Sequence, residues 1–165
     1  MSTRVDNVIN KIYKMTIENK LINDEVNFLI WQIMKIWARG KQKLLEEFGL
    51  TGSQMEILSA VYHLSQTEAE VTQITISNVT NIDPMTTSTI LRNLQKKKLI
   101  TRKASKTDTR ARVVEITKEG ESLLNQASQK INNSTEAIFT KIDRETLKTQ
   151  LRTLLDVLTE LSNLN

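Results

Sequence analysis

The sequence predicts a mainly α-helical chain with one small β-hairpin, and three observations predict it. Apolar residues recur at steps of three and four over most of the 165 residues. Four glycines and one proline are too few for a strand-rich fold with many turns. Period-two alternation is confined to RVVEIT (residues 112–117), with LITRKA (residues 99–104) as its partner strand.

Composition narrows the class. Apolar residues make up 39% and charged ones 25%, as in ordinary globular proteins. The length suits one domain, or a small domain plus helices that pack on a partner. FLIWQIM (residues 28–34) falls far short of the ~18 apolar residues a membrane span needs, so no membrane role is expected. MSTRVDNVIN lacks a charged-then-apolar export pattern, and the expected location is the cytoplasm. With no cysteine, disulfides, a thiol redox sensor and zinc–cysteine sites are excluded together.

Each element has its own signal. Val5, Val8, Ile9 and Ile12 predict a short amphipathic helix. From Asn23, an apolar stripe through Val26, Leu29, Ile33, Met34 and Trp37 to Phe48 predicts a long helix, ended by Gly49. Thr51 with Gln54 forms a capping-box pattern for a helix burying Met55, Leu58 and Val61. A short helix over Gln73 to Thr80 is capped by Thr72, with Ile76 and Val79 inward. NIDP breaks it: Asn81 suits a left-handed turn, and Asp83–Pro84 supplies a cap and a first-turn proline. The next helix runs to about Lys97, with Ile90, Leu91 and Leu94 inward. In the hairpin, Val114 and Ile116 are expected on the buried face, Val113 and Glu115 on the other. Thr117 caps a helix through Leu124, Ala127, Ile131 and Ile138, with NNST (residues 132–135) its weakest point. Asp143 caps a last helix, where Leu147, Leu151, Leu154, Leu158 and Leu161 form a coiled-coil-like seam.

Charge is concentrated. The chain is +4 overall, yet from Arg92 to Arg112 nine basic residues face Asp108 alone, a local +8 on a remainder of −4. A basic lobe on an acidic body predicts a polyanionic partner held at one place. Helix, sharp turn, helix and basic hairpin is the order of a winged helix-turn-helix, whose second helix enters the DNA major groove. That helix would present Met85, Thr86, Ser88, Thr89, Arg92, Asn93 and Lys96 outward. Hydroxyls and methyls of this kind suit base edges and thymine methyls, with Arg92 the strong reader or phosphate clamp. In the wing, SKTDTR offers Lys106 and Arg110, followed by Arg112. Asp108, two residues before Arg110, is read as the carboxylate that aims that guanidinium, suiting it to a narrow minor groove.

These residues carry a family resemblance. The stretch from VTQITISNVTNIDPMTTSTILRNLQ to TRARVVEITKEGESLL resembles the DNA-binding lobe of the MarR family of bacterial transcriptional regulators. The Asp-x-Arg at Asp108 and Arg110 and the ITKEG that opens the following helix are its most specific marks. The motifs cover about residues 51–124, and helix order extends the likeness from about Asn23 to Leu161. The resemblance implies a homodimer whose first and last helices interlock over a pseudo-palindromic operator. It also implies a small aromatic or anionic effector, and it makes repressor the expected role. The implied organisation is N-terminal dimerisation helices over 1–48, a winged helix-turn-helix lobe over 49–117 and C-terminal dimerisation helices over 118–165. The leucine seam of the last helix becomes the expected dimer interface. The chain departs from the family pattern at Thr89 and Asn93, where arginines are usual, and at Lys98, where glycine normally closes the recognition helix.

Other chemistry finds little support. His63 is the only histidine, and Glu46–Glu47 and Glu68–Glu70 are acidic pairs without a catalytic or metal-binding companion. No cofactor and no enzymatic activity are expected. Trp31, Met34, Trp37 and Tyr62 fit a core stripe better than an effector pocket. The rival to DNA binding is a winged-helix module that meets an acidic protein partner.

Overall fold

Caps set the helix starts. The computed structural model describes residues 25–105 and 112–162. The expected helix over Val5 to Ile12 and the wing-tip residues Lys106, Asp108 and Arg110 lie outside that range. Six helices are described: α1 (Glu25–Glu46), α2 (Gly52–Leu64), α3 (Gln73–Thr80), α4 (Pro84–Lys96), α5 (Lys118–Phe139) and α6 (Arg144–Ser162). Thr51 and Gln54 close the reciprocal capping box of α2, each bond 3.2 Å long. Thr72 caps α3, Asp83 caps α4 with Pro84 behind it, and Thr117 caps α5. Asp143 accepts from the Thr146 amide and hydroxyl at the start of α6. α5 runs unbroken through the polar NNST stretch.

Strands β1 (Ile100–Ala104) and β2 (Arg112–Ile116) pair antiparallel, with Ile100 opposite Ile116 and Arg102 opposite Val114. One expectation changes here. Val113 is buried as well as Val114, because Thr72 forms a β-bridge to Val113 and the Val114 amide donates to the Val71 carbonyl at 2.8 Å. Residues 71–72 thus pair along the outer edge of β2, and Val113 is packed beside them.

By backbone contacts the chain divides into two units, Met1–Lys43 and Leu44–Asn165. In the second, α2 is the central helix, packing on α3, α4, α5 and β2. Ile57, Leu58 and Val61 of α2 are fully buried with Ile76, Leu91, Leu94 and Val114. Each such side chain contributes about 1.5–3 kcal/mol through burial. Val79, expected inward, is 61% exposed, because eight residues give α3 only one inward edge, held by Ile76 and Ser77. Ile138 is exposed as well.

In the first unit, Phe28 is buried, but most of the α1 stripe is exposed. Trp31, Met34 and Trp37 are exposed, as are Val26, Leu29 and Ile33. Lys35 lies 4.4 Å from the Trp31 ring centroid, a cation–π contact on that helix. Tyr62, in the second unit, packs partly buried against the core. No helix among the described residues is long and apolar enough to cross a membrane.

Candidate nucleic-acid interface

The turn between α3 and α4 is built around one carbonyl. Asn81 takes the left-handed conformation, with φ +52°. The Ile82 carbonyl beyond it accepts from the Ser77 hydroxyl at 2.6 Å and from the Thr87 hydroxyl at 3.1 Å. Ser77 and Thr87 are both buried, so their hydroxyls need this partner. Two helices are thereby fastened to one turn atom, which sets their crossing. Thr87 falls three residues before the inward Ile90, but no local pattern discloses the shared acceptor.

Asp83 then starts α4. Its carboxylate accepts from the amides of Met85 at 3.1 Å and Thr86 at 2.9 Å. Hydrogen bonds from the Thr86 side chain and backbone hold it below the usual carboxylate range.

At its other end α4 closes with a turn that leaves Lys98 at φ +60°, the Leu99 amide reaching back to the Leu94 carbonyl at 3.0 Å. α1 ends the same way through Gly49 at φ +62°, where the left-handed conformation costs nothing. Lys97 joins the two endings: its ammonium donates to the Gly49 carbonyl and, at 3.1 Å, to Gln54 Oε1. Thr117 adds a second tie, donating to the Lys98 carbonyl at 2.8 Å while accepting from the Gly120 amide at 3.0 Å.

Between those anchored ends, the outer face of α4 lies open. Met85 is 82% exposed, and Thr86, Thr89, Arg92, Asn93 and Lys96 are exposed with it. Ser88 is half-buried and turned to the edge of that face. Thr89 is already engaged: its hydroxyl donates to the Met85 carbonyl at 3.1 Å and accepts from Arg92 Nη2 at 3.2 Å. A threonine where the resemblance would place an arginine thus holds the arginine one turn on.

On the hairpin the cations divide. Lys103 pairs with Glu115 across the strands at 2.6 Å, so part of its charge is spent inside the protein. Arg112 is exposed at the start of β2. Arg102 is half-buried, and its Nη2 donates to Gln73 Oε1 at 3.4 Å. Gln73 Nε2 in turn donates to the Pro84 carbonyl at 3.0 Å, linking wing, α3 and α4. Partial burial, then Arg112 and Arg92, push the Arg102 guanidinium below its ordinary range. Counting charge along the chain registers Arg102 as one basic residue among nine. Alternation from buried Ile100 was the signal that could have separated it.

The seam residues of α6 are placed on an open surface. Leu151, Leu154, Leu158 and Leu161 are exposed, and Leu147 is half-buried. Phe139 with Leu147, Leu151 and Leu155 lines a shallow groove of about 340 Å³, edged by Arg144, Lys148 and Arg152. His63 is exposed and edge-on to Tyr62 at 5.4 Å. No cluster of metal-ligating side chains occurs among the described residues.

Comparison with known proteins agrees with this architecture. The family described as Transcriptional regulator SarA/Rot matches residues 39–127, more than half of the chain. The HTH-type transcriptional regulator YdcH of Bacillus subtilis is 28% identical over 117 residues, covering 71% of this chain and 80% of that protein. The structure of Staphylococcus aureus MepR in complex with DNA superposes with a TM-score of 0.71 at 25% identity, over 81% of this chain and 96% of that one. CouR from Rhodococcus jostii, solved bound to p-coumaroyl-CoA, shares the fold with a TM-score of 0.69 at 20% identity, over 85% of this chain and 95% of its own. Caps, turn, open helix face and basic hairpin therefore sit on a chain that belongs to the SarA/Rot transcriptional regulators, DNA-binding winged helix-turn-helix proteins of the MarR type rather than enzymes.

Proposed function

We propose that the chain works as a homodimer that places two copies of α4 in successive major grooves of a pseudo-palindromic operator and represses transcription there. The observation that carries this reading is the outer face of α4: solvent-open, anchored at both ends, and led by an arginine already held in place by Thr89. On this reading Met85, Thr86, Ser88, Thr89, Arg92 and Lys96 meet the major groove, while Lys106, Arg110 and Arg112 of the wing reach the flanking groove, with Asp108 aiming Arg110. Lysine and arginine supply salt-dependent affinity, and the helix face supplies selectivity. MepR, similar over nearly its whole length, has been solved with DNA, which supports the mode of binding.

The dimer rests on exposed apolar surface. α1 presents Leu29, Ile33 and Trp37, and α6 presents Leu151, Leu158 and Leu161, more apolar surface than a monomer leaves uncovered. In this organisation residues 1–48 and 118–165 dimerise, and residues 49–117 bind DNA. A small aromatic or anionic effector that releases the operator completes the reading.

Selecting binding sites from random duplexes with the full chain tests it. The expected product is a symmetric site with half-sites about 10 base pairs apart, centre to centre. Recovery of a single unpaired half-site would remove the dimer. Weak, sequence-blind binding would instead favour an acidic protein partner for the basic lobe.

A further inference from the structure

Alternation along β1 puts Arg102 on the face of Ile100, opposite Val114, so its stem leaves from the edge of the core. Arg112 follows on the same face of β2, opposite Ala104. Diagonal neighbours of that kind lie about 7–8 Å apart. Arg92 belongs to α4, which packs on β1, and the Arg102 guanidinium is held below its ordinary range by partial burial first, then by Arg112 and Arg92. None of the three forms an ion pair with a carboxylate among the described residues. Of the five donors that a guanidinium carries, Arg102 commits Nη2 to a neutral amide oxygen, and its Nε is buried without an acceptor. Like charges gathered at a partly dry crease, with a charged donor unsatisfied, are unfavourable until an anion arrives.

We propose that Arg102, flanked by Arg112 and Arg92, is a seat for phosphate oxygens, occupied in function by one phosphodiester of the DNA backbone; this occupant rests on the operator reading above. The planar fork of arginine matches two phosphate oxygens. Gln73 aims it. Because its amide nitrogen is committed to the Pro84 carbonyl, its oxygen is left toward Arg102. Pro84 is the first residue of α4, so the seat is keyed to the helix that faces the bases. A phosphate held here fixes how far along the groove that helix reads.

The test uses the full-length protein and the selected operator. Arg102→Gln and Arg102→Lys are compared with wild type in titrations at several salt concentrations. The same titrations use duplexes carrying one neutral methylphosphonate at each backbone position in turn. Thermal melting of each variant reports the fold. Expected are a salt slope lower by about 1 per chain for Arg102→Gln, and one backbone position whose neutralisation weakens wild type but not that variant. Arg102→Lys should keep most of the slope. A loss of affinity with an unchanged slope and an unchanged backbone map would make Arg102 a merely structural residue and overturn the seat. Inorganic phosphate titrated into wild type, read at the Arg102 Nε–Hε resonance, separates the seat from the operator. A shift without any duplex binding keeps the seat and removes DNA as its occupant. Normal operator binding with that resonance unmoved by either ligand removes the seat and leaves the operator reading intact.

Discussion

Arg92 donates through Nη2 to the Thr89 hydroxyl at 3.2 Å, and that same hydroxyl donates to the Met85 carbonyl one turn earlier. The exposed arginine is therefore oriented before any ligand arrives, and less side-chain entropy remains to be lost on binding. Arg92→Ala is expected to weaken operator binding by about 1–3 kcal/mol. Thr89→Val, which keeps the shape but not the hydroxyl, should cost a smaller part of that. The double variant should lose less than the sum of the two single losses, because part of the threonine's effect runs through the arginine it holds. Titration of the three variants on one operator checks this; fully additive losses would show that Thr89 does not position Arg92.

The Ile82 carbonyl serves two buried hydroxyls, and this bears on the lobe's stability. Thr87→Val matches the side chain in volume and deletes one hydrogen bond. The fold should lose about 0.5–1.5 kcal/mol in urea unfolding, since the carbonyl keeps its Ser77 partner at 2.6 Å. The Ser77→Ala, Thr87→Val double variant leaves the carbonyl unpaired. Its loss should exceed the sum of the single ones.

Much of this architecture is legible in the sequence because its signals are local. Thr51, Thr72, Asp83 and Thr117 bond amides two or three residues ahead, so the pattern that predicts each helix start is also the contact that makes it. Where the determining partner lies far along the chain, the reading changes. Val113 is buried by Thr72, and Arg102 is held by Gln73, 29 residues away. Alternation within the hairpin gives the face of Arg102 but neither of these partners. The aromatic stripe of α1 shows the same limit from the other side. Helical spacing identifies Trp31 and Trp37 as a face, while the structure leaves that face open to solvent.

Lys98 holds a left-handed turn, at φ +60°, that glycine adopts without strain. Lys98→Gly is expected to raise stability by about 1 kcal/mol, with part of the steric relief offset by the entropy glycine loses on folding. Thermal melting measures it directly. The hydrogen bond from the Thr117 hydroxyl to the backbone carbonyl of residue 98 survives the change, so no new defect accompanies the gain.

Gly120 answers the opposite requirement. Its φ is not the issue; the Leu99 carbonyl oxygen would lie 2.1 Å from an added Cβ, and Ile116 Cγ1 would lie 3.0 Å away. The Leu99 carbonyl cannot retreat freely, because it accepts from the Thr117 amide at 3.0 Å. Gly120→Ala should therefore destabilise the lobe by about 1–3 kcal/mol or more, through backbone shifts where α5 meets the end of α4. Operator affinity should fall with it, as the shift reaches the recognition helix. A variant with unaltered urea midpoint and unaltered affinity would show that α5 and Leu99 can part at little cost.

The open leucine face of α6 permits a prediction that separates assembly from folding. The buried cluster of the second unit contains no α6 residue, so charge placed on α6 should leave the lobe's core intact. Leu158 is 55% exposed, and Leu151 and Leu161 beside it along the seam are similarly open. A carboxylate buried at a two-fold interface would meet its own symmetry copy, or nearly so, and lose its water. On the proposed dimer reading, wild type sediments as a dimer and Leu158→Glu is expected to sediment as a monomer at the same concentration. Operator affinity should drop by a factor of about 10²–10⁴, since two half-sites are no longer engaged as one. Binding to an isolated half-site should be unchanged, because α4 and the hairpin are untouched. A variant that stays dimeric would move the interface off this face of α6, and a monomer that binds the full operator as tightly as wild type would sever dimerisation from DNA recognition.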